Sequence, residues 1–525
     1  MTNRFFVVDP GGPRAVAAEG GETLARALFR AGYFVGAPLC AGLGRCGRCR
    51  VRYLSPPPPP LAAETRRLGE AAVAAGWRLA CLRPVGGDEH LELAATGPTP
   101  AYDKASLALA APQTGELGLA VDLGTTGLAW RLLSLADGRT VAEGRGVNPQ
   151  LGAGGEVVSR LAFALTPGGG ELLRRLVLDV LVRLAALAGR KPSALCLAGN
   201  SAMMAIVCDK PLAGLAHAPY GLSWRGGETV ALGRGLPPAY VPPLLGPFVG
   251  ADVSAGLTAL VAQNPAYPFL LADLGTNAEM VLALAPGRYL AASAPLGPAL
   301  EGVGLTDGAM AGPGVAVDFE LTPAGLAPVL FGGPEATGPP RGIAGPGYLR
   351  LAAILREQGV LDADGRFAQN PAPTPLGRRL QARVARLAGE AVFAAAGCRL
   401  FASDVEELLK VKAACNLAMA GLLGAAGLAT SALAAVYLAG AFGANVSAEA
   451  LETLGFFPPG LAGRSHVAGN LSLAGAALFL TEPARRATAE ALPGQTAIVP
   501  LVAPQAGVAG GGDPFISRMV FAYVP

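Results

Sequence analysis

Residues 118–130 read GLAVDLGTTGLAW, an apolar strand that runs into a turn of small and hydroxylated residues. Backbone N–H groups and threonine hydroxyls at the end of a strand are suitable donors for a phosphate group. The aspartate before them can hold a magnesium ion directly or through water. No Gly-Lys-Ser/Thr sequence follows, so the turn differs from a Walker loop. The stretch therefore predicts a strand that ends in a phosphate-binding turn, here called phosphate loop 1, formed by Asp122, Gly124, Thr125 and Thr126.

A second copy of this pattern lies at residues 268–282, which read PFLLADLGTNAEMVL. Its turn, phosphate loop 2, contains Asp273, Gly275, Thr276 and Asn277. A second apolar strand follows each copy, which indicates an internally duplicated α/β core that grips phosphates between its halves. A third glycine-rich turn follows another apolar strand at residues 436–443, VYLAGAFG.

Cysteine spacing gives a separate signal in the first ninety-five residues. Four of the eight cysteines lie here, three of them in the loop CAGLGRCGRC. Four thiolates are what a 2Fe–2S cluster requires, two for each iron. Glycines between the ligands suit a backbone that must turn sharply around the sulfur atoms. The pattern predicts a cluster bound by Cys40, Cys46, Cys49 and Cys81, with Gly42, Gly44 and Gly47 shaping the loop.

Two of these cysteines also fit other kinds of site. Cys46 and Cys49 alone would also suit a redox dithiol or half of a zinc site, but a zinc site would need a second Cys-x2-Cys pair. The remaining cysteines are scattered among apolar residues and are predicted to be buried free thiols: Cys196, Cys208, Cys398 and Cys415. No disulfide framework is implied, which agrees with a reducing cytoplasm.

Charge and composition exclude several classes of function. The net charge is +3, which does not indicate the strongly basic surface of a nucleic-acid-binding protein. Abundant Gly (73) and Pro (45) do not indicate disorder, because 52% of the residues are hydrophobic and 15% are charged. The arginines that flank the cluster ligands are either solvated surface or a basic face that steers an acidic redox partner; they are Arg45, Arg48, Arg50 and Arg52.

Two further segments bear on topology. Residues 413–446 carry no charge, but their asparagines and repeated glycines favour a buried helix followed by a strand at 435–438 over a membrane span. The N-terminus lacks a secretion signal, so a cytoplasmic location is expected. The predicted domains are a module at 1–95, a linker at 96–116 and two halves at 117–266 and 267–525. Within the first module, Pro56–Pro60 favours a stiff, protruding spacer before a helix near 64–75.

Together these motifs resemble two known folds. The first ninety-five residues resemble the 2Fe–2S ferredoxins of β-grasp fold, and the five residues between the first two ligands are closer to the adrenodoxin-like branch. The order of the two phosphate loops and the third turn resembles the actin-like ATPases, which include sugar kinases and heat-shock chaperones. The resemblance implies an α+β ferredoxin module followed by a duplicated α/β core of the RNase H-like, actin-like class.

More narrowly, the chain resembles the ATP-dependent reductive activators of corrinoid proteins. Segments that look familial lie at 199–203, 248–256, 297–302 and 412–423. The resemblance implies ATP with Mg²⁺ at the phosphate loops and assigns catalytic roles to Asp122, Asp273 and Glu279. It also implies an adenosine turn that contains Gly440 and Gly443, although Ala441 stands where the family has a second glycine. For Glu279 and Glu301, a water-orienting role and a purely structural role both remain open.

The resemblance also implies a function. One electron would pass from the cluster to the inactive cobalt(II) form of a corrinoid protein in a methyltransferase system, with ATP offsetting an unfavourable potential. An upstream low-potential donor would reduce the cluster, and a homodimer is left open. One alternative is a ferredoxin-like carrier whose actin-like region binds nucleotide or a partner without hydrolysis, since GIAGPG (342–347) lacks the family's Cys and Ser. A second is an activator of a radical or dehydratase enzyme.

Overall fold

The computed structural model describes residues 3–525 except 38, 41, 45, 95–114, 188, 303, 324, 334, 335, 337, 388, 441–445 and 502–512; the side chains of residues 298 and 301 are also outside the description. The chain divides into two compact units. The first contains Met1–Asp252 and Ala476–Arg486, and the second contains Val253–Gly475 and Ala487–Pro525. The predicted linker falls mostly outside the described residues, and the domain limits stay a prediction.

The N-terminal module is a five-stranded sheet of order β2-β1-β5-β3-β4. Its strands are β1 (Asn3–Asp9), β2 (Gly12–Ala18), β3 (Arg50–Tyr53), β4 (Trp77–Leu79) and β5 (His90–Leu93). Its helices are α1 (Leu24–Arg30), α2 (Ala62–Leu68) and α3 (Glu70–Ala74), and a 3-10 turn covers Ala80–Leu82. Helix α1 begins where Thr23 accepts a hydrogen bond from the Arg26 N–H, and it buries Leu24 and Leu28 in the module's core.

The first unit also contains a six-stranded sheet of order β10-β11-β9-β6-β7-β8. Its strands are β6 (Leu117–Leu123), β7 (Gly127–Ser134), β8 (Thr140–Val147), β9 (Ala194–Gly199), β10 (Glu228–Val230) and β11 (Ala239–Val241). The helices of this region are α4 (Val157–Ala164), α5 (Gly169–Ala186), α6 (Ser201–Val207) and α7 (Ala213–Ala216), with a 3-10 turn at Pro149–Ala153. The next helix, α8 (Ala251–Val261), begins at the end of this stretch and continues into the second unit.

The second unit is built on another six-stranded sheet, of order β21-β20-β12-β13-β14-β22. Its strands are β12 (Phe269–Leu274), β13 (Asn277–Ala285), β14 (Arg288–Pro295), β20 (Ala435–Ala439), β21 (Ser465–Gly469) and β22 (Thr496–Ile498). Two smaller sheets contain β15 (Ala316–Thr322) with β16 (Gly325–Leu330), and β17 (Val384–Leu387), β18 (Glu390–Ala395) and β19 (Cys398–Phe401). The remaining helices are α9 (Gly345–Glu357), α10 (Pro375–Gln381), α11 (Ala402–Ala426), α12 (Ala448–Thr453), α13 (Leu471–Thr481) and α14 (Arg485–Gln495).

The two large sheets repeat one pattern. In each, the strand before a phosphate loop pairs antiparallel with the next strand, and that strand pairs antiparallel with the third. On its other side, the strand before the phosphate loop pairs parallel with a later strand, β9 in the first sheet and β20 in the second. A further parallel strand follows in both sheets. The predicted internal duplication is therefore confirmed.

Within the first unit, the N-terminal module packs against helix α4 beside the six-stranded sheet β6–β11, here called the middle sheet. The Phe29 ring of α1 meets the Phe163 ring of α4 edge-to-face, with 5.4 Å between centroids. The Arg26 guanidinium lies 5.1 Å from the centroid of the same Phe163 ring. Phe29 belongs to the core of the middle sheet rather than to the core of its own module. The module is therefore docked through the end of its helix.

Helix α11 explains the long uncharged stretch. It is the one described helix that is long and apolar enough to cross a membrane, and 67% of its most apolar window is buried inside the protein. A 3-10 turn at Thr430–Ala432 separates it from β20. The predicted arrangement, a buried helix followed by a strand at 435–438, is confirmed, although the helix begins earlier, at Ala402.

Candidate functional site

The cysteine loop has the shape that its sequence predicts. Gly42, Gly44 and Gly47 have φ values of 92°, 68° and 68°, which side chains with a Cβ rarely adopt. Cys49 immediately precedes β3, whereas Cys81 lies in the 3-10 turn after β4, the neighbour of β3 in the sheet. Sheet pairing therefore brings the fourth cysteine to the loop.

The four thiols form two pairs. The Cys46 N–H approaches the Cys40 sulfur at 3.5 Å, and a hydrogen bond to the Cys40 thiol, together with burial, raises the pKa of Cys46 far above its usual value. A hydrogen bond from the Cys49 thiol lowers the pKa of Cys81. No three His, Cys, Asp or Glu side chains in the described part of the chain surround a single point as ligands of one ion. Two thiol pairs fit two irons, as a 2Fe–2S cluster requires.

A buried ionic clamp holds the element that carries Cys81. Glu64 is fully buried, accepts the Leu79 N–H at 3.0 Å and is paired with Arg83. Burial acts to raise the pKa of Glu64, but hydrogen bonds from Arg83, Leu61 and Leu79 outweigh it and leave that pKa below its usual value. Arg78 donates to the carbonyl of Pro58, and Arg83 donates to the carbonyl of Pro59 at 2.7 Å.

This clamp changes the interpretation of the proline run. Four of its five prolines are exposed, as a protruding spacer would be, but the run is tied to the body of the module by both arginines. The single helix predicted near 64–75 is two helices instead. Gly69, with a φ of 83°, separates α2 from α3.

The arginines around the loop differ from one another. Arg52 forms an ion pair with Glu92, to which its Nε donates at 2.8 Å. Arg50 is exposed, and burial lowers the pKa of Arg48. Arg67 donates to the carbonyl of Cys46 at 3.2 Å, a contact that the sequence did not reveal. Arg45 lies outside the described residues.

Phosphate loop 1 follows β6 and is supported by two buried asparagines. The Asn200 amide donates to the Thr125 hydroxyl at 2.8 Å, while its oxygen caps α6. The Asn148 amide donates to the Gly124 carbonyl at 2.8 Å, and the Asn148 N–H donates to the Thr126 carbonyl at 2.7 Å. Thr125 and Thr126 are both buried. Buried hydrogen bonds therefore hold the backbone and the Thr125 side chain of this loop in place. The sequence spacing did not predict the two asparagines that make them.

Phosphate loop 2 gathers its predicted residues at one end of the second large sheet. Asp273 is the register partner of Glu279 on β13 and of Ala439 on β20. The Asn277 amide donates to Glu279 at 3.1 Å. The Gly275 N–H donates to the Asn277 carbonyl at 2.8 Å, which closes the turn. Asp273, Glu279 and Asn277 are thus adjacent.

Gly440 stands where no side chain fits. A Cβ at this position would lie 2.4 Å from the Asp273 carboxylate and 2.9 Å from the Leu274 carbonyl, and φ is 84°. The close approach of this turn to phosphate loop 2 agrees with a nucleotide-binding role for both. Gly443 and Ala441 lie outside the described residues, as does the Glu301 side chain.

Comparison with family models matches two adjacent regions of the chain. Residues 117–263 match a model described as the RACo middle region. Residues 268–503 match a model described as the C-terminal domain of RACo, the ASKHA domain. The chain belongs to the RACo family. Residues 268–503, the C-terminal part of the duplicated core, are therefore of the actin-like ATPase class.

Curated relatives of this RACo-family chain carry names connected with corrinoid proteins. The corrinoid activation enzyme RamQ of Eubacterium limosum is 30% identical over 271 residues, which are 49% of this chain and 44% of RamQ. The match thus spans less than half of that relative. A [Co(II) methylated amine-specific corrinoid protein] reductase of Methanosarcina barkeri is 29% identical over 412 residues, 70% of each chain.

A solved structure supports the fold of nearly the whole chain. The reductive activator for corrinoid, iron-sulfur protein has a TM-score of 0.65 and 21% identity, and the match covers 98% of this chain and 97% of the other. At this level of identity the match establishes the fold.

Proposed function

We propose that this RACo-family chain is an ATP-dependent reductive activator of a corrinoid protein. It transfers one electron from a 2Fe–2S cluster to the cobalt(II) form and so regenerates cobalt(I). The observation that carries the proposal is the presence, in one chain, of two thiol pairs on a five-stranded module and of two phosphate loops on a duplicated ASKHA core. The names of both curated relatives agree with it.

In this proposal, Cys40 and Cys46 hold one iron, and Cys49 and Cys81 hold the other, in a module of β-grasp ferredoxin type. When bound, the cluster supplies a one-electron carrier, whose potential in plant-type ferredoxins is near −400 mV. Burial of Cys46 and Cys49 limits the access of water to the sulfur atoms. The N–H of Cys46 is positioned to stabilise charge on the Cys40 sulfur.

At each phosphate loop, backbone N–H groups and side-chain hydroxyls would donate to phosphate oxygens of ATP. Asp122 of phosphate loop 1 and Asp273 of phosphate loop 2 are the carboxylates that would each bind Mg²⁺, directly or through water. Glu279 orients the attacking water, and its contact with Asn277 fixes the carboxylate for that task. Gly440 admits the nucleotide. We place the protein in the cytoplasm, with an upstream low-potential donor as its electron source.

The decisive experiment begins with anaerobic purification and reconstitution of the iron–sulfur cluster. The cluster is then reduced with dithionite, the excess reductant is removed, and reduction of a cob(II)alamin protein is followed by absorbance, with and without ATP. We expect EPR of the reduced protein to show one 2Fe–2S cluster, and ATP to accelerate cobalt(I) formation. A cluster-loaded protein that reduces no corrinoid partner under either condition would refute the proposal.

A matched pair of glycine variants tests the nucleotide site. Gly440→Ala places a Cβ against Asp273 and forces a left-handed conformation, a strain of about 1–2 kcal/mol. We expect it to weaken ATP binding by about tenfold or more. Gly463→Ala is the control, because a Cβ there meets nothing within 4 Å. If both variants bind ATP with equal affinity, Gly440 is not part of the nucleotide site.

One observation favours the alternative of a carrier that binds nucleotide without turnover. In GIAGPG, Ala344 caps helix α9 without a side-chain hydrogen bond, where the family has a cysteine. Calorimetric titration with ATP, followed by a phosphate-release assay, separates the alternatives. Tight binding without phosphate release would favour the carrier, and turnover coupled to cobalt reduction would favour the activator.

A further inference from the structure

One short segment joins phosphate loop 1 to the cysteine loop. The segment, here called the 148–155 strap, begins at Asn148 and contains the 3-10 turn Pro149–Ala153. Both of its ends are hydrogen-bonded to a candidate site in the same compact unit. We propose that the strap couples occupancy of phosphate loop 1 to the environment of the cluster, and that Asn148 is the positioning residue at its nucleotide end. The inference rests on the proposed function, because it requires both a nucleotide and a cluster.

The nucleotide end of the strap grips the backbone of phosphate loop 1. Asn148 is fully buried, and it donates from its amide to the Gly124 carbonyl and from its backbone to the Thr126 carbonyl. Peptide groups are planar, so an N–H that turns toward a phosphate turns the carbonyl of the same peptide with it. A phosphate bound by the N–H of Thr125 would therefore shift an acceptor that Asn148 holds.

The strap is fixed along its length. The Asn148 oxygen accepts the Gln150 N–H at 2.9 Å, which starts the 3-10 turn. The Gln150 side chain donates to the Leu173 carbonyl at 3.1 Å, and Arg160 donates to the Gly154 carbonyl at 2.8 Å. Gln150 and Arg160 are fully buried. A displacement at one end is thus transmitted instead of being absorbed by a loose loop.

The cluster end of the strap touches the peptide that leads into the first ligand. The Gly155 N–H donates to the Leu39 carbonyl at 3.0 Å, and Leu39 immediately precedes Cys40. Gly152 lies so close to the module that a Cβ there would be 2.4 Å from the Phe29 ring and 2.5 Å from the Phe34 carbonyl. Hydrogen bonds and solvent exposure at the sulfur atoms set the potential of such clusters. Because Leu39 is bonded to Cys40, a shift of Leu39 would move the Cys40 sulfur and so change the hydrogen bond and the exposure on which the potential depends.

Linkage makes the proposal measurable in both directions. If nucleotide changes the cluster's potential, then reduction of the cluster changes the affinity for nucleotide by the same factor. For wild-type protein we expect the Kd for a non-hydrolysable ATP analogue with Mg²⁺ to differ by about fivefold or more between oxidised and dithionite-reduced protein. At 59 mV for each tenfold, that factor corresponds to about 40 mV.

Two variants interrupt the strap at opposite ends. Asn148→Ala removes the grip on phosphate loop 1, whereas Gly152→Ala crowds Phe29 without touching that loop. We expect the Kd ratio to fall to about 1 in both. We also expect saturating nucleotide to change the EPR spectrum of the reduced cluster in wild type and to leave it unchanged in both variants. Gly152→Ala keeps the test valid if Asn148→Ala fails to fold. Asn370→Ala, an exposed position, and Gly20→Ala, where a Cβ meets nothing within 4 Å, serve as controls.

The outcomes are distinct. A wild-type protein that binds both nucleotide and cluster but shows equal Kd values in the two redox states overturns the coupling alone. Retention of the wild-type Kd ratio in a folded, cluster-loaded Asn148→Ala or Gly152→Ala variant also overturns it. A wild-type protein that binds no nucleotide or no cluster overturns the proposed function itself, and the coupling with it.

Discussion

At the scale of single residues, cysteine spacing carried most of the information about the candidate redox site. The pairing of Cys40 with Cys46, and of Cys49 with Cys81, required the structure, because Cys81 reaches the loop through the β3–β4 pairing. The other four thiols are buried, as predicted, and burial raises the pKa of Cys415 to about 12. Such thiols stay protonated and unreactive at neutral pH.

A serine substitution tests the ligand assignment. In Cys81→Ser, one iron loses a thiolate, so we expect the reconstituted protein to lose the visible absorbance and the EPR signal of a 2Fe–2S cluster. Iron content should fall accordingly. Cys208→Ala, at a buried free thiol, should keep both signals. A full wild-type spectrum in Cys81→Ser would exclude Cys81 as a ligand.

Buried polar residues were the part of the site that sequence could not supply. Asn148 and Asn200 contact phosphate loop 1 from 24 and 75 positions away along the chain, and spacing predicts no such contact. Asn200 lies in GNSAM, a segment that resembles the family, but the sequence alone does not indicate which group Asn200 would bond. Hydrogen bonds between distant residues follow from the packing of strands, which periodicity leaves undetermined.

At the scale of elements, the strands and turns around the phosphate loops were the most predictable features. Apolar runs that lead into glycine-containing turns predicted β6, β12 and β20 to within a residue or two. The proline run was harder, because its sequence indicates stiffness but not the arginines that bind its carbonyls. Arg78 and Arg83 are separated from it by about twenty residues.

The clamp at Glu64 should dominate the stability of the N-terminal module. Glu64→Gln leaves Arg83 and Arg78 without a buried counter-charge, a loss of about 3–5 kcal/mol. We expect cluster absorbance to disappear at a lower urea concentration than in wild type. Glu70→Gln, an exposed acid on α3, is the matched control and should shift the midpoint little. Similar midpoints for the two variants would show that the clamp contributes nothing measurable.

Helix α11 contains a buried lysine whose charge should make stability depend on pH. Lys412 is fully buried and donates to the carbonyls of Arg518, at 3.1 Å, and Ala522 in the C-terminal segment. Burial lowers the pKa of Lys412 to about 8. The unfolded chain keeps this proton to higher pH than the folded chain, so stability rises with pH above about 8.

The expected size of that effect is about 2 kcal/mol between pH 7 and 9.5, at 1.36 kcal/mol for each pH unit above the folded pKa. The measurement is the free energy of unfolding of wild type minus that of Lys412→Met, determined with urea at several pH values. Subtraction removes the titration of other groups. Parallel pH curves for the two proteins would mean that Lys412 keeps its proton in the fold.

At the scale of the whole molecule, charge around the cluster should govern encounter with an acidic partner. Arg50 and Arg66 are exposed; Arg50 immediately follows Cys49, and Arg66 adjoins Arg67, which donates to the Cys46 carbonyl. We expect the bimolecular rate of corrinoid reduction to fall about threefold or more when salt increases from 50 to 300 mM, because salt screens exposed charges. Arg50→Gln with Arg66→Gln should lower the rate at low salt and weaken its salt dependence.

The matched control carries the same change of charge outside the module. Arg139→Gln with Arg386→Gln alters two exposed arginines and should leave the rate and its salt dependence unchanged. If both double variants respond alike, net charge alone governs the encounter. If neither responds, the flanking arginines are solvated surface without a steering role.

The docking of the N-terminal module has a consequence for exchanging redox modules between proteins. A transplanted ferredoxin would need an aromatic residue in the place of Phe29 and a free carbonyl one residue before its first cysteine. The recipient would have to present a glycine opposite that ring, as Gly152 does here. A chimera that keeps only the four cysteines would bind a cluster, but its ferredoxin module would not dock on the rest of the chain. Compatible ferredoxins are therefore recognised by their surface at helix α1 as much as by the spacing of their ligands.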